Sequence, residues 1–427
     1  MPLSHAPTIP DATRRAHAAF LASDDAFSGA ARLLASLWRA ERGLPCSVQV
    51  EPGSAAASRK PRRVRAGWRL RPDAARAGRT FLTPEIAAYV RRALILREPG
   101  ALWDEPKILG HLLASQGLAL NLCAVMALDL DLASRVWSDL LPDFVHRVTH
   151  VRFETSPGRG HDDLLQDHTA FDIQLDVVTP DADPAFVAVE LKFIEPMAGP
   201  SASVRARYGE VARACGLYRS PDDLLLYRPG IEQLRREHTL GQLMVDHGYA
   251  SRGLFVLAGP ALNRRVGAAA QVYADALVAP RGATPDRVGF VHLTIEAILA
   301  ALARSGAEVH ARAVHARYLD FERVTAVALG DIPPPPTPPR VPTTPLALPS
   351  PCPSAASPSD VLRPPKPLTP RRIGRHAGDR PEQAETPRSS VGGKPQRSPR
   401  SAPSAAPAPT HRATRKACRT AVSGGGQ

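Results

Sequence analysis

Apolar side chains recur at helical spacing between residues 11 and 42, at Ala19, Phe20, Phe27, Ala31, Leu34, Leu37 and Trp38, with Asp11 placed to cap the first turn. A basic stretch over 51–71 containing glycine and serine reads as a surface excursion. Thr83 and Pro84 then open another helix, the hydroxyl as cap and the proline in the first turn. A further helix is predicted over 107–128, where Ser115, Gln116 and Asn121 sit among leucines. Polar groups in so apolar a segment need partners, either as hydrogen-bond fixtures of the core or at a site, and the general burial rule favours the core.

After residue 145 the period shortens. Val148, Val151 and Phe153 precede the turn-rich SPGRGHDD, and FDIQLDVV over 171–178 alternates: Phe171, Ile173, Leu175 and Val177 on one face, Asp172, Gln174 and Asp176 on the other. A short polar loop leads to FVAVELKF over 186–193, so the two strands predict a hairpin. Helices are predicted over 208–218 and 231–249, and GLFVLAG and VGFVHLT read as short strands buried on both faces. A helix over 295–305 and the segment HARYLDFERV close the body. The order predicts an α/β fold, a mixed sheet flanked by helices and preceded by a mostly helical part over 1–145, with the core over 146–327.

Composition divides the chain again. About half of the 44 prolines follow Ile332, where Trp, Tyr and Phe are absent, so residues 328–427 lack the large apolar groups that offset the entropy of ordering and are expected to be a disordered tail. Of the formal net charge of +13, about eleven lie beyond Asp331, Arg371 and Arg372 among the carriers, which leaves the body nearly neutral. Such a tail would hold phosphate backbones without sequence preference; the bland alternative is a solvated linker. The five cysteines are widely separated and form no CxxC pair, so neither a disulfide framework nor a zinc knuckle is supported. With no apolar leader and no apolar run of membrane-spanning length, a cytoplasmic protein without membrane association is the expectation.

Within FVAVELKF the strand period puts Glu190 and Lys192 on one face. A neighbouring strand bearing Asp172 brings a second carboxylate near, and two hard oxygen donors suit Mg2+, with Mn2+ as a substitute. Such an ion would activate a water and polarise a phosphoryl oxygen, while the Lys192 ammonium offsets charge building in the transition state: parts suited to phosphodiester hydrolysis. A solvated Glu–Lys pair on an outer strand face is the bland reading of the same tripeptide.

The wider sequence resembles a bacterial family of predicted restriction endonucleases within the PD-(D/E)xK nuclease superfamily. The resemblance runs in order through REPGALWDEPKILGHLLASQGLALNLC (97–123), VRFETSPGR (151–159), DHTAFDIQLDV (167–177), FVAVELKFIE (186–195) and RYLDFERV (317–324). It implies that Asp172 and Glu190 bind metal, that Lys192 is the catalytic lysine, that Glu154 is an additional acidic site residue, and that Gln116 stands near the site. His111, Leu120 and His168 depart from the pattern, standing where an amide, an aromatic residue and an arginine are usual.

Bland alternatives accompany the other candidates. Asp176 shares a face with Asp172 but is expected to face solvent, and His161, Asp162 and Asp163 belong to a surface loop. Arg235, Arg236 and Gln242 sit on one predicted helix and would contact a phosphate backbone, unless they merely form an exposed charged face. The leading expectation is a metal-dependent DNA endonuclease. A repair exonuclease or junction resolvase of the same fold and a non-catalytic nucleic-acid-binding protein are the alternatives, and paired cuts on opposite strands would favour a homodimer.

Overall fold

Caps and breaks set where the N-terminal helices start and stop. In the computed structural model, which describes residues 3–51, 62–198, 205–279 and 286–331, α1 (Asp11–Ala16) begins with Asp11 inside the helix rather than as its cap. The helix expected over 11–42 is two helices. Ala18 adopts a φ of 53° and its carbonyl accepts the Gly67 amide at 2.8 Å, turning the chain out of helical register. Asp25 then accepts the Ser28 amide at 2.8 Å and starts α2 (Ala26–Glu41).

The stretch expected to be a surface excursion carries a hairpin, β1 (Cys46–Glu51) paired antiparallel with β2 (Arg62–Leu70). Its signal was the alternation of Ala66, Trp68 and Leu70, all buried, with the exposed Arg65 and the half-buried Arg69. Then follow α3 (Pro72–Arg76) and α4 (Pro84–Leu96), whose Thr83 cap and first-turn proline are as predicted. The helix expected over 107–128 is also divided, into α5 (Glu105–Gly110) and α6 (Ser115–Leu128), because the chain between them pairs with β2: Leu112 donates to the Trp68 carbonyl at 3.0 Å. Asn121 is fully buried, bonded to the Gly117 carbonyl at 2.9 Å, the Tyr318 hydroxyl at 3.0 Å and the Leu82 amide at 2.8 Å. It is a core fixture. α7 (Leu130–Leu140) leads to the sheet.

The sheet and its helices run β3 (Arg147–Thr155), β4 (Phe171–Val178), β5 (Pro184–Leu191), α8 (Ala206–Ala214), α9 (Ile231–Asp246), β6 (Arg252–Gly259), α10 (Arg264–Ala276), β7 (Gly289–Thr294), α11 (Ile295–Leu302), α12 (Glu308–Tyr318) and α13 (Phe321–Leu329). Strand order follows the chain, β3-β4-β5-β6-β7, antiparallel across the first two pairings and parallel across the last two. The predicted β4–β5 hairpin is present. Ile173, Leu175, Val189 and Val256 enter one core with α2, α6, α7 and α11–α13, while Phe186, Ala188, Phe255 and Phe290 enter a second with α8–α10. The fold is α/β, a mixed sheet flanked by helices, and neither face is left to solvent. Among the described residues no single helix is long and apolar enough to cross a membrane. The expected tail, with Arg371 and Arg372, lies outside the described residues from residue 332 onward.

Helix α9 is seated on the sheet through His238, which is fully buried between Phe255 and Phe290. Its Nε2 donates to the Val288 carbonyl at 2.8 Å and its Nδ1 faces the Tyr273 hydroxyl at 3.0 Å. Burial holds its pKa down at about 4, against a smaller opposing pull from the Val288 carbonyl. The folded protein therefore keeps this ring neutral where the unfolded chain protonates it, and stability is lost as pH falls from about 6.5 towards 4. The loss attributable to His238 is about 3 kcal/mol, from 1.4 kcal/mol per pKa unit. Urea denaturation across pH 4–8 measures it. His238→Gln should show a lower plateau and a shallower acid slope than the parent, and parallel slopes would contradict the assignment.

Candidate active site

Strand register assembles the site. Phe153 pairs with Ile173 and Thr155 with Phe171, so Glu154 and Asp172 are level on β3 and β4. Ile173 pairs with Val189, so Asp172 and Glu190 are level on β4 and β5. Three carboxylates thus form one row across three strands. Lys192 stands one strand period beyond Glu190, its amide donating to the Ala258 carbonyl at 2.8 Å. Glu190 is 2% exposed, which removes the reading of a solvated surface pair.

Each carboxylate is held by a different neighbour. The Asp172 Oδ2 accepts the Leu191 amide at 2.8 Å. Glu154 has a φ of 53°, a left-handed conformation that costs a residue with a side chain about 1–3 kcal/mol and is kept only where the surroundings enforce it. Here Gln116, from the first turn of α6, donates its amide to Glu154 Oε1, and Arg159 donates to the Glu154 carbonyl at 3.2 Å. The Lys192 Nζ lies 2.5 Å from Glu190 Oε1 and 2.8 Å from Gln233 Oε1. Gln233 Nε2 in turn donates to Glu190 Oε1 and Glu237 Oε1, both at 2.8 Å. Lys192, Glu190 and Gln233 close a ring, and Glu237 joins it through Gln233 with its Oε2 unpartnered among the described residues, beneath an open cleft of about 860 Å³ whose walls include Trp103, Lys107, His168 and Arg236.

The electrostatics follow from this crowding. Burial, then the charges of Glu190 and Glu154, push the Asp172 carboxyl well above its ordinary range. Burial is also the main cause holding Glu154 up at about 7; Glu190 adds to it, and the Gln116 hydrogen bond and Arg159 oppose it. Burial alone would depress the Lys192 ammonium, but Glu190, Glu237 and Asp172 outweigh it and raise its pKa, so the lysine is charged at neutral pH. Glu237 is fully shielded and raised well above normal by burial and then by Glu190.

Of the residues expected from sequence, Asp172, Glu190, Lys192, Glu154 and Gln116 all line this cleft, and Arg236 borders it, bonded to Glu232 at 2.5 Å and Thr169 at 2.6 Å. Arg235 does not fit its expected role in nucleic-acid contact: it is 1% exposed, packed over the Tyr227 ring at 4.1 Å. Gln242 is likewise buried, bonding the Asp286 carbonyl and the Val288 amide, both at 2.8 Å. Asp176 is paired with Arg152 and accepts from Gln174 at 2.9 Å, outside the cleft. Asp162 and Asp163 are exposed, and so is His161. Gln233 and Glu237 were missed; their only signal was a pair of polar residues four apart on a helix otherwise rich in buried positions.

The family model of the PD-(D/E)XK nuclease superfamily matches residues 22–320, which takes in the whole row, the lysine and both supporting helices. The chain belongs to the PD-(D/E)XK nuclease superfamily. No match is found among curated proteins or among solved structures. For this nuclease the general activity is hydrolysis of nucleic acid, and the sequence resemblance pointed to the same superfamily.

Nucleases of this superfamily typically use divalent metals, and the donor set here fits a hard cation: carboxylate oxygens of the buried Glu190 and the half-buried Asp172 and Glu154 in one row, with one ammonium to set against three acids. Among the described residues no three such side chains converge closely enough to hold an ion as they stand, and Glu190 Oε1 is engaged by Lys192 and Gln233. The fit therefore rests on donor chemistry and on uncompensated negative charge.

That imbalance has a measurable sign. In EDTA at pH 8, Asp172→Asn should melt higher than the parent nuclease because it removes a carboxyl that burial, Glu190 and Glu154 all make costly to ionise. Lys192→Ala should melt lower, by about 3–5 kcal/mol of stability, because it strips the buried Glu190 of its partner. Differential scanning calorimetry checks the pair, and equal shifts of the same sign would refute this charge balance.

Proposed function

We propose that this nuclease is a divalent-metal-dependent endodeoxyribonuclease, using Mg2+ or in its place Mn2+, that hydrolyses phosphodiester bonds within DNA. The observation that carries the reading is the level row Glu154–Asp172–Glu190 with Lys192 one strand period away at the floor of an open cleft. When bound by Asp172 and Glu190, the cation supplies Lewis acidity and neutralises charge on the scissile phosphate.

The protein's own groups do the rest. Lys192, held charged by its acidic neighbours, is an electrostatic donor: its ammonium stabilises the charge that builds on a phosphoryl oxygen as water adds to phosphorus and the bond to one sugar oxygen breaks. Gln233 fixes where that ammonium points. Its Nε2 is committed to Glu190 and Glu237, so its Oε1 must face Lys192. Glu154, propped by Gln116 and pushed up to about 7, is suited to holding or releasing a proton near the reacting water. Arg236, Lys107 and His168 border the same cleft and meet the flanking phosphates. The basic sequence beyond residue 331 would add salt-sensitive affinity without sequence preference, and a two-fold pair would cut both strands.

Purified protein with supercoiled and linear DNA and Mg2+ provides the test, beside Lys192→Ala, Glu190→Ala and an EDTA control. Nicking or linearisation should be confined to the parent with metal, each variant falling at least a hundredfold. Release of short nucleotides from ends alone would shift the reading to an exonuclease. Metal-dependent binding with no cleavage of duplex, single-stranded or branched DNA would leave a binding protein.

Gln233→Leu tests the positioning role within the same assay. Turnover should fall about ten- to a hundredfold with little change in KM, since the lost contact orients the ammonium and does not bind ground-state substrate. A change confined to KM would contradict it.

A further inference from the structure

A second cavity lies apart from the acidic cleft, and no step of the nuclease reading uses it. It holds about 440 Å³, the size of a small-ligand site, and is formed where the loop after α3, the start of α4 and the end of α2 meet. Three arginines line it, Arg42, Arg79 and Arg91, and no carboxylate does. Arg79 and Arg91 are exposed and have no ion pair among the described residues, while Arg42 lies 4.0 Å from Glu41. Arg91 is folded back over the loop: a Cβ on Gly78 would stand 3.0 Å from the Ala87 Cβ and 3.2 Å from the Arg91 Nη1, and the φ of 73° at that turn is itself one that favours glycine.

The floor is more telling than the rim. Trp38 lines the cavity, is 2% exposed, and its indole N–H has no acceptor among the described residues. Two guanidinium groups lie over its ring, Arg42 and Arg317, each 4.3 Å from the ring centroid. Arg317 is itself 2% exposed. It donates through Nη1 to the Thr80 carbonyl, while its Nε and Nη2 have no partner among the described residues. A buried cation and a buried donor, both short of acceptors, thus sit behind a wall that already carries three positive charges.

We propose that this cavity binds a nucleotide phosphate, with its phosphate among Arg42, Arg79 and Arg91 and its base against Phe81 and the outer plane of the Arg42 guanidinium. Inorganic phosphate alone would satisfy the arginines but leave the apolar part of the lining uncovered, the exposed Pro84 and the small accessible edges of the otherwise buried Leu44 and Phe81, whereas a base covers it and stacks on arginine as readily as on an aromatic ring. The same chemistry arises from a free mononucleotide or from the phosphorylated end of a strand. The site is separate from Lys192 and Glu190, so occupancy does not require the catalytic machinery.

The test is titration calorimetry of the full chain in EDTA and 150 mM salt, with adenosine 5′-monophosphate, inorganic phosphate and a 5′-phosphorylated single-stranded 12-mer as probes. Parent, Lys192→Ala and the double variant Arg79→Ala/Arg91→Ala are compared. Both variant arginines are exposed, so the fold should survive, and a matching circular dichroism melt verifies it.

The nucleotide should bind parent and Lys192→Ala alike, at least tenfold tighter than inorganic phosphate, and lose at least tenfold in the double variant. A 12-mer that outbinds the mononucleotide and loses the same factor identifies a strand end as the source, and the reverse order identifies a free nucleotide. Any contribution from the basic C-terminal sequence is common to all three proteins and cancels. Absence of saturable nucleotide binding up to millimolar concentration overturns the proposal, as does binding that is unchanged in the double variant or abolished by Lys192→Ala.

Discussion

Three acidic side chains are held level on adjacent strands with a single ammonium to balance them, and most of what surrounds them answers to that constraint. A row of like charges in water would splay apart, but strand pairing fixes Glu154, Asp172 and Glu190 at one height, and the burial of Glu190 and half-burial of the other two reduce the solvent that would screen them. The repulsion is resolved locally. Asp172 and Glu154 hold their protons more tightly, Lys192 stays charged, and Gln233 distributes hydrogen bonds among Lys192, Glu190 and Glu237. A polar network of this kind is costly if any member is left unsatisfied, which explains why two helices from separate parts of the chain are committed to it.

Those helices approach from different parts of the structure. Gln116 sits in the first turn of α6, a helix whose remaining residues are almost wholly core and whose Asn121 is tied to Tyr318 and Leu82. Gln233 and Glu237 come from α9, seated through His238 on the strands at the other end of the sheet. The site is thus built on rigid, doubly packed elements, and the one strained residue in it, Glu154, is clamped both at its side chain by Gln116 and at its backbone by Arg159. Positional precision at a reacting phosphate is what such clamping provides, at the expense of backbone strain that a merely structural strand would not retain.

The sheet and the acidic row were legible because their signals are local. Alternation over 171–178 and 186–193 sets the faces, and the hairpin sets the register that brings Asp172 opposite Glu190. What was illegible came from contacts distant in sequence. The helices expected over 11–42 and 107–128 are each broken by a bond to β2, through Gly67 to Ala18 and Leu112 to Trp68, and nothing in the helical periodicity of either segment announces a partner elsewhere. Polar residues inside α6 illustrate the ambiguity: Asn121 is a core fixture and Gln116, five residues earlier, serves the site. Periodicity alone cannot divide the two outcomes. Arginine misleads in the same way. Arg235 and Arg236 are neighbours on α9, yet one is packed against Tyr227 and the other opens onto the cleft.

The charge distribution bears on how a polyanion reaches an acidic site at all. Residues 1–331 contain 39 Lys and Arg against 37 Asp and Glu, so net charge on the body offers almost no long-range attraction. Attraction must be local: at the cleft wall Lys107 and Arg236 stand paired with Asp104 and Glu232, whereas the arginine cavity elsewhere on the body has no carboxylate in its lining. With a Debye length of about 8 Å at physiological salt, each patch acts only at close range. A strand is therefore guided by where cations stand rather than by how many there are. On the proposed reading, the acids of the cleft would meet the phosphate only where Lys192 is already in place to offset the charge.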